Sequence, residues 1–431
     1  MNTRLYTLIV ITLLLSSASI ITASGDNTTS HQASSIQEDI LEMIEQINET
    51  QLYSYHHGLV KFGPRYTGSI NCTLAANYLY ESFETIGLSV EFHDWHYAGF
   101  RSTNVVATLP GNDPTSDAII IISGHYDTVQ GAPGADDDAS GVAALLMLAQ
   151  VMKNYSFNHT IRFIAFSGEE VGTFGSFSYA RDAYRRGDNI LAVLNLDMIG
   201  FASTTDGGRI LRFFPPERSQ WMAEDATRIA DDYYDHLDMT IETLPSYIGA
   251  DNQPFVDYGY DGVWIAHRDG YPYGHSPEDT AEHLNWTYYT KATKLMCAVL
   301  AEFALQPLPV QVIITAPLEG KGYVFNKPVM KLDLGKFWYA RWRGATVLLG
   351  RAVASADIRT TEPLRYVIFC IDGNFMFWDS EPPYEWKIQG LHWPLFGRHT
   401  LKVYAYTENG HIASDQMDLR IFTLSYQYGL W

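Results

Sequence analysis

The chain is predicted to be an α/β protein, a mostly parallel sheet with helices on both faces, followed by an all-β sandwich. Three observations carry that prediction. Strand-like apolar runs alternate with helical periodicity from Ala118 to Leu305. Ala118–Ser123 is continuously apolar, as a strand buried on both faces must be. After Gln306-Pro307-Leu308-Pro309 the helical periodicity stops, and short alternating runs separated by turn signals take over.

Taken in order, Met1-Asn2-Thr3-Arg4, the apolar run Leu5 to Leu15 and the small residues to Ser24 have the layout of a secretory signal, residues 1–24. An uncleaved anchor is the alternative. Six Asn-x-Ser/Thr triplets, at Asn27, Asn48, Asn71, Asn154, Asn158 and Asn285, agree with export. The expected location is therefore secreted or cell-surface, with attachment through the C-terminal part or an uncleaved anchor. Cys72, Cys297 and Cys370 allow at most one disulfide, so the fold must rest on its core.

Residues 25–35, rich in Ser, Thr and Asn, read as a flexible stem. Apolar residues at helical spacing predict helices over Ile36–Leu52 and Thr73–Ile86, and β-rich runs predict strands over Ser89–Tyr97 and Thr103–Leu109. Beyond the buried strand come a helix Ser140–Asn154, strand Thr160–Phe166, helix Phe174–Arg186, strand Ile190–Leu196, helix Pro216–Tyr234, strand Gly262–Ala266 and a closing helix Glu278–Leu305. The expected domains are 36–307 (α/β) and 308–431 (all-β). Charge separates them, with 13 basic and 11 acidic residues in 308–431 and 16 against 38 before it. The formal charge of −20 argues against nucleic acid as a partner.

In such sheets ligands gather beyond the carboxyl ends of the strands, and that is where potential metal donors fall. His125 and Asp127 follow the buried strand; an extended chain would point both to one face. Asp136-Asp137-Asp138 enter a helix, where one acid would cap it but three repel without a cation. Glu169-Glu170 and Asp197 end the next two apolar strands, and His275 stands in a Gly/Pro loop. Singly, each has a bland reading as cap, surface loop or hydrogen-bonded histidine. Jointly, two imidazoles and three carboxylates, His125, Asp137, Glu170, Asp197 and His275, suit two zinc ions sharing one carboxylate.

The motifs GHYDT (124–128), PGADDDASG (133–141), GEE (168–170), NLD (195–197) and GHSPEDT (274–280) together resemble the M28 family of zinc peptidases over about residues 60–306. The resemblance implies that Asp137 bridges two zinc ions, cobalt or manganese being alternatives. Glu170 and His275 would complete one ion, His125 and Asp197 the other. It implies Glu169 as general base, Asp127 as the group orienting His125, and a cis peptide between Asp137 and Asp138.

The expected activity is metal-assisted hydrolysis of peptide or protein substrates, most simply by an aminopeptidase, since an acidic pocket suits a free α-amino group. A carboxypeptidase would need a cation for the substrate carboxylate, such as Arg268 or Arg65, both read as surface residues. Glutaminyl cyclisation and a catalytically inactive binding protein are further readings. Asn252 departs from the family's usual Asp-His. Residues 366–407, with IDGN at 371–374 and EPPYEW at 381–386, resemble immunoglobulin-like surface modules, where Trp378, Trp386 and Trp393 are read as core.

Overall fold

A computed structural model describes residues 26–114, 116–246, 249–308, 310–332, 346–390 and 394–425. The expected signal segment and Trp393 lie outside them. The chain forms two compact units, Met1–Glu42 and Met43–Trp431. The described backbone of the first is helical, part of α1 (Asp26–Gln46), which takes in residues 26–35 of the expected stem. Adding turns to a helix already nucleated over the apolar-periodic residues costs little, which lets it run into a polar stretch. Among the described residues no helix is long and apolar enough to cross a membrane.

In the second unit the helix expected over Ile36–Leu52 is broken, because Asn48 caps a new helix, α2 (Glu49–Val60), accepting a hydrogen bond from Gln51 N at 2.9 Å. Then follow α3 (Ile70–Ile86), α4 (Ala139–Met152), α5 (Phe174–Arg186), α6 (Gln220–Asp232) and α7 (Trp286–Leu305). The closing helix starts eight residues later than its periodicity suggested, since Asn285 caps it and Glu278–Leu284 form turns and a 3₁₀ segment.

The strands β1 (Ser89–Tyr97), β2 (Phe100–Leu109), β3 (Ala118–His125), β4 (Thr160–Phe166), β5 (Asn189–Leu196), β6 (Ile210–Phe214), β7 (Thr240–Thr243) and β8 (Gly262–His267) form one sheet in the order β1-β2-β4-β3-β5-β8-β6-β7. Its centre, β4-β3-β5-β8, is parallel, as the alternating pattern requires. The pairs β1-β2, β2-β4 and β8-β6 are antiparallel. Sequence reading missed β6, whose apolar Ile-Leu-Arg-Phe-Phe is only five residues long, the short half-polar β7 and the one-turn helix Gln253–Asp257. Every residue of β3 is buried. Helix α4 is apolar around its circumference because β3, β4, α2, α3 and α7 all pack on it.

Register then places the site. His125 pairs with Phe166 and Ser123 with Asn195, so β3, β4 and β5 end level and their following loops start at one edge.

Strands β9 to β18, from Val310 to Thr423, make a seven-stranded and a three-stranded sheet. Val310, Val312 and Trp386 from the smaller sheet and Val367, Phe369, Leu401, Val403 and Leu419 from the larger share one apolar core, so the two sheets form a sandwich. Trp386 is core, 3% exposed, whereas Trp378 is 56% exposed and lies outside it. Its partner in the register is Ile368, on the face opposite the core residues Val367 and Phe369. Cys72, Cys297 and Cys370 are all free and buried.

Candidate metal centre

Each donor singled out from the sequence arrives at that level edge. His125 ends β3, Glu169 and Glu170 follow β4, and Asp197 follows β5. Asp137 precedes α4, and His275 lies in the loop from β8 to α7 with φ +56°. The Asp137–Asp138 peptide is cis.

Asp137 lies between the two imidazoles. Its Oδ1 is 3.1 Å from His125 Nε2 and its Oδ2 is 3.1 Å from His275 Nε2. His275 Nε2 is also 3.1 Å from Glu170 Oε2, and His125 Nε2 is 3.7 Å from Asp197 Oδ1. Donor atoms of His125, Asp137 and Glu170 all fall within 4.8 Å of one another. The side chain of His275 is 62% exposed while the other four are nearly enclosed, so the site opens at His275.

Donors and fit agree with a cation. His125 Nε2 and Glu170 Oε1 are buried without a hydrogen-bond partner, so atoms placed to ligate satisfy nothing else in the fold. Burial, reinforced by Asp137 and Asp127, pushes Glu170 up to about 7. Burial also raises the Glu169 carboxyl well above its ordinary range, with Asp251, Asp197 and Glu170 adding to it and His125 opposing. Asp137 alone is held low: burial would raise it, but the two imidazoles flanking its carboxylate outweigh that. Carboxylates crowded to that degree ionise together only around positive charge. Two histidines and three carboxylates are borderline-soft and hard donors of the kind zinc takes.

A second group, His125, Asp138 and Asp197, is as close. Asp138 is nonetheless committed to the backbone: Oδ2 accepts from His125 N at 3.0 Å, and Oδ1 from Gly141 N at 2.9 Å and Met198 N at 3.1 Å. It caps α4 and ties β3, α4 and the loop after β5 together. A Cβ on Gly141 would come within 2.6 Å of that carboxylate, which explains the glycine.

Asp127 meets the His125 ring through its backbone rather than its carboxylate. Its carbonyl, not its carboxylate, lies 3.0 Å from His125 Nδ1; the carboxylate is 3.7 Å away. That carboxylate accepts from Thr67 Oγ1 at 2.6 Å, Glu169 N at 3.2 Å and Glu170 N at 3.4 Å, so it sets the turn carrying both glutamates.

Sequence reasoning missed the groups holding the Asp137 strip. Asp279 accepts from Asp136 N, Asp137 N and the Tyr271 hydroxyl, and Asp136 binds Gly200 N and His267 Nε2. The GHSPEDT motif contained Asp279, but nothing local shows that it reaches back 142 residues. Arg65, read as a surface residue, is fully buried, with its guanidinium on the carbonyls of Gly63, Tyr126, Pro133 and Gly134. Arg268 is paired with Glu242 at 3.7 Å and Asp206 at 4.0 Å. Asn252 is buried beside Asp251, its Oδ1 without a partner.

Residues 104–300 match peptidase family M28. The chain is 28% identical to a probable zinc metalloprotease of Pyrenophora tritici-repentis over 63% of this chain and 77% of that one. It is 23% identical to leucine aminopeptidase 1 of Sclerotinia sclerotiorum over 63% and 76%. The fold is shared with the LapA aminopeptidase of Legionella pneumophila (TM-score 0.57, 20% identity, 68% of this chain and 79% of that one). It is also shared with a zinc aminopeptidase of Bacillus subtilis (TM-score 0.54, 17% identity, 60% and 96%). Residues 104–300 thus resemble a peptidase domain of family M28, and with donors that suit zinc gathered at the edge of the sheet they carry, the protein is a zinc-dependent peptidase hydrolase.

Proposed function

We propose that this chain is an exported dizinc aminopeptidase. The observation that carries the reading is the Asp137 carboxylate, with one oxygen 3.1 Å from each imidazole. Glu170 and His275 would hold one ion and His125 and Asp197 the other, with Asp137 shared. Bound there, zinc supplies Lewis acidity toward water and a peptide carbonyl.

Glu169 is the base in this reading. Its backbone N–H is fixed by Asp127, and its carboxylate takes a proton from water and returns it to the leaving amine. The acidic surroundings favour a substrate with a free α-amino group. Arg65 and Arg268, the cations a carboxypeptidase would have used, are engaged by carbonyls and by acids, which supports the same choice. We assign residues 36–307 to the catalytic domain and 308–431 to an immunoglobulin-like module that serves as spacer or stabiliser at the cell surface, with residues 1–24 as export signal.

The test is hydrolysis of matched peptides with free and acetylated N-termini, with Glu169→Gln as control. Stepwise release of N-terminal residues from the free peptide, lost in Glu169→Gln, is expected. Cleavage of acetylated peptides at their carboxyl ends would overturn the aminopeptidase reading.

A further inference from the structure

Residues 63–68, between α2 and α3, lie outside the stretch that matches the peptidase family, yet two of their side chains enter the centre's supports. Arg65 donates from Nε to Tyr126 O at 2.7 Å, from Nη1 to Pro133 O at 2.6 Å and from Nη2 to Gly134 O at 2.9 Å. Its backbone N–H reaches Thr128 Oγ1 at 2.9 Å. One guanidinium thereby closes the loop that runs from His125 to the Asp137 strip. Gly134, at φ +64°, leaves it room, for a Cβ there would come within 2.9 Å of Nη2. Two residues on, Thr67 is buried and donates to Asp127 Oδ2 at 2.6 Å. The two oxygens of Asp127 take the N–H groups of Glu169 and Glu170. A relay therefore runs from Thr67 through Asp127 to the backbone of the proposed base and of a proposed ligand.

We propose that the 63–68 loop is a positioning element of the metal centre, with the Thr67 hydroxyl setting the Asp127 carboxylate and, through it, the Glu169–Glu170 turn. The inference rests on the zinc peptidase reading. Thr67 touches neither substrate nor donor atoms, so its loss should reach chemistry and metal retention more than substrate binding. A valine there keeps the shape and removes only the hydroxyl, leaving one Asp127 oxygen with a weaker anchor.

The experiment compares Thr67→Val and Thr67→Ser with the unmodified full chain. It reads kcat and KM on a free-amino tripeptide, zinc affinity by competition with a chromophoric chelator, and folding by far-ultraviolet circular dichroism. Groups supporting metal ligands change affinity or activity by about 10- to 100-fold when removed. Thr67→Val is expected to lower kcat or zinc affinity in that range, with KM within about threefold, and Thr67→Ser to recover most of the loss. Unchanged kcat and zinc affinity in folded Thr67→Val would overturn the proposal, as would a Thr67→Ser variant as impaired as the valine. If Thr67→Val does not fold, Arg65→Lys replaces it, expected to fold and lower zinc affinity about 10-fold; undiminished affinity there counts against the loop. An unmodified chain that neither binds zinc nor cleaves the tripeptide would sink the peptidase reading itself, a separate failure.

Discussion

Asp279→Ala is the substitution whose cost the structure specifies most fully. The carboxylate is completely buried, with Asp136 N at 2.8 Å and the Tyr271 hydroxyl at 2.6 Å on one oxygen and Asp137 N at 3.2 Å on the other. Removing it strands two buried N–H groups, each costing about 1–3 kcal/mol, and frees a phenol that can turn to another partner for about 1 kcal/mol. The expected loss is about 4 kcal/mol, among the larger single-site effects. Tyr271→Phe should cost only about 1 kcal/mol, since the carboxylate keeps both N–H groups. The double variant should cost no more than Asp279→Ala, because the two share one contact. Urea unfolding of chelator-treated protein, followed by tryptophan fluorescence, measures all three without contribution from metal. A loss below about 1 kcal/mol for Asp279→Ala would refute the claim that this residue holds the Asp137 strip.

Other outcomes follow from the same contacts. In the sandwich, Trp386→Ala should cost about 3–5 kcal/mol and Trp378→Ala less than about 0.5, as read by thermal unfolding. Glu319, largely buried, is pushed up to about 8 by its burial against the pull of Arg218, with Asp415, Asp418 and Asp261 adding to the rise. Its folded pKa lies above the ordinary 4.5, so its contribution to stability is full below that value and is lost as pH rises toward 8. Glu319→Gln should flatten the decline in stability between about pH 5 and 8, and an unchanged slope would reject the assignment. Zinc at about 100 times its dissociation constant should stabilise the chelator-treated protein by about 2.7 kcal/mol, and His125→Ala should abolish most of that gain.

The parallel centre and the donors at its edge were legible because burial on both faces demands the apolar run of β3, and ligands at strand ends must be polar where the run stops. Helix starts at Asn48 and Asn285 were less legible, since one capping side chain overrides a periodicity that continues through it. The five-residue β6 and the half-polar β7 are too short to stand out on their own; β6 is placed by pairing with β8, and β7 by pairing with β6. The supports were least visible. Arg65, Thr67 and Asp279 act across 61, 60 and 142 residues respectively, and a buried arginine satisfied by carbonyls has no charged neighbour in sequence to betray it. The role of Asp127 shifted for a similar reason: spacing puts it near His125, but only the fold shows that its carboxylate turns to the glutamates.

In the proposed centre His125, Asp137, Glu170, Asp197 and His275 together hold metal. Zinc content of the purified chain, by elemental analysis after dialysis against metal-free buffer and reloading, tests it directly. About two zinc ions per chain are expected, retained in Glu169→Gln and reduced to about one or fewer in Asp137→Ala. A reloaded, folded chain that holds no zinc would contradict it.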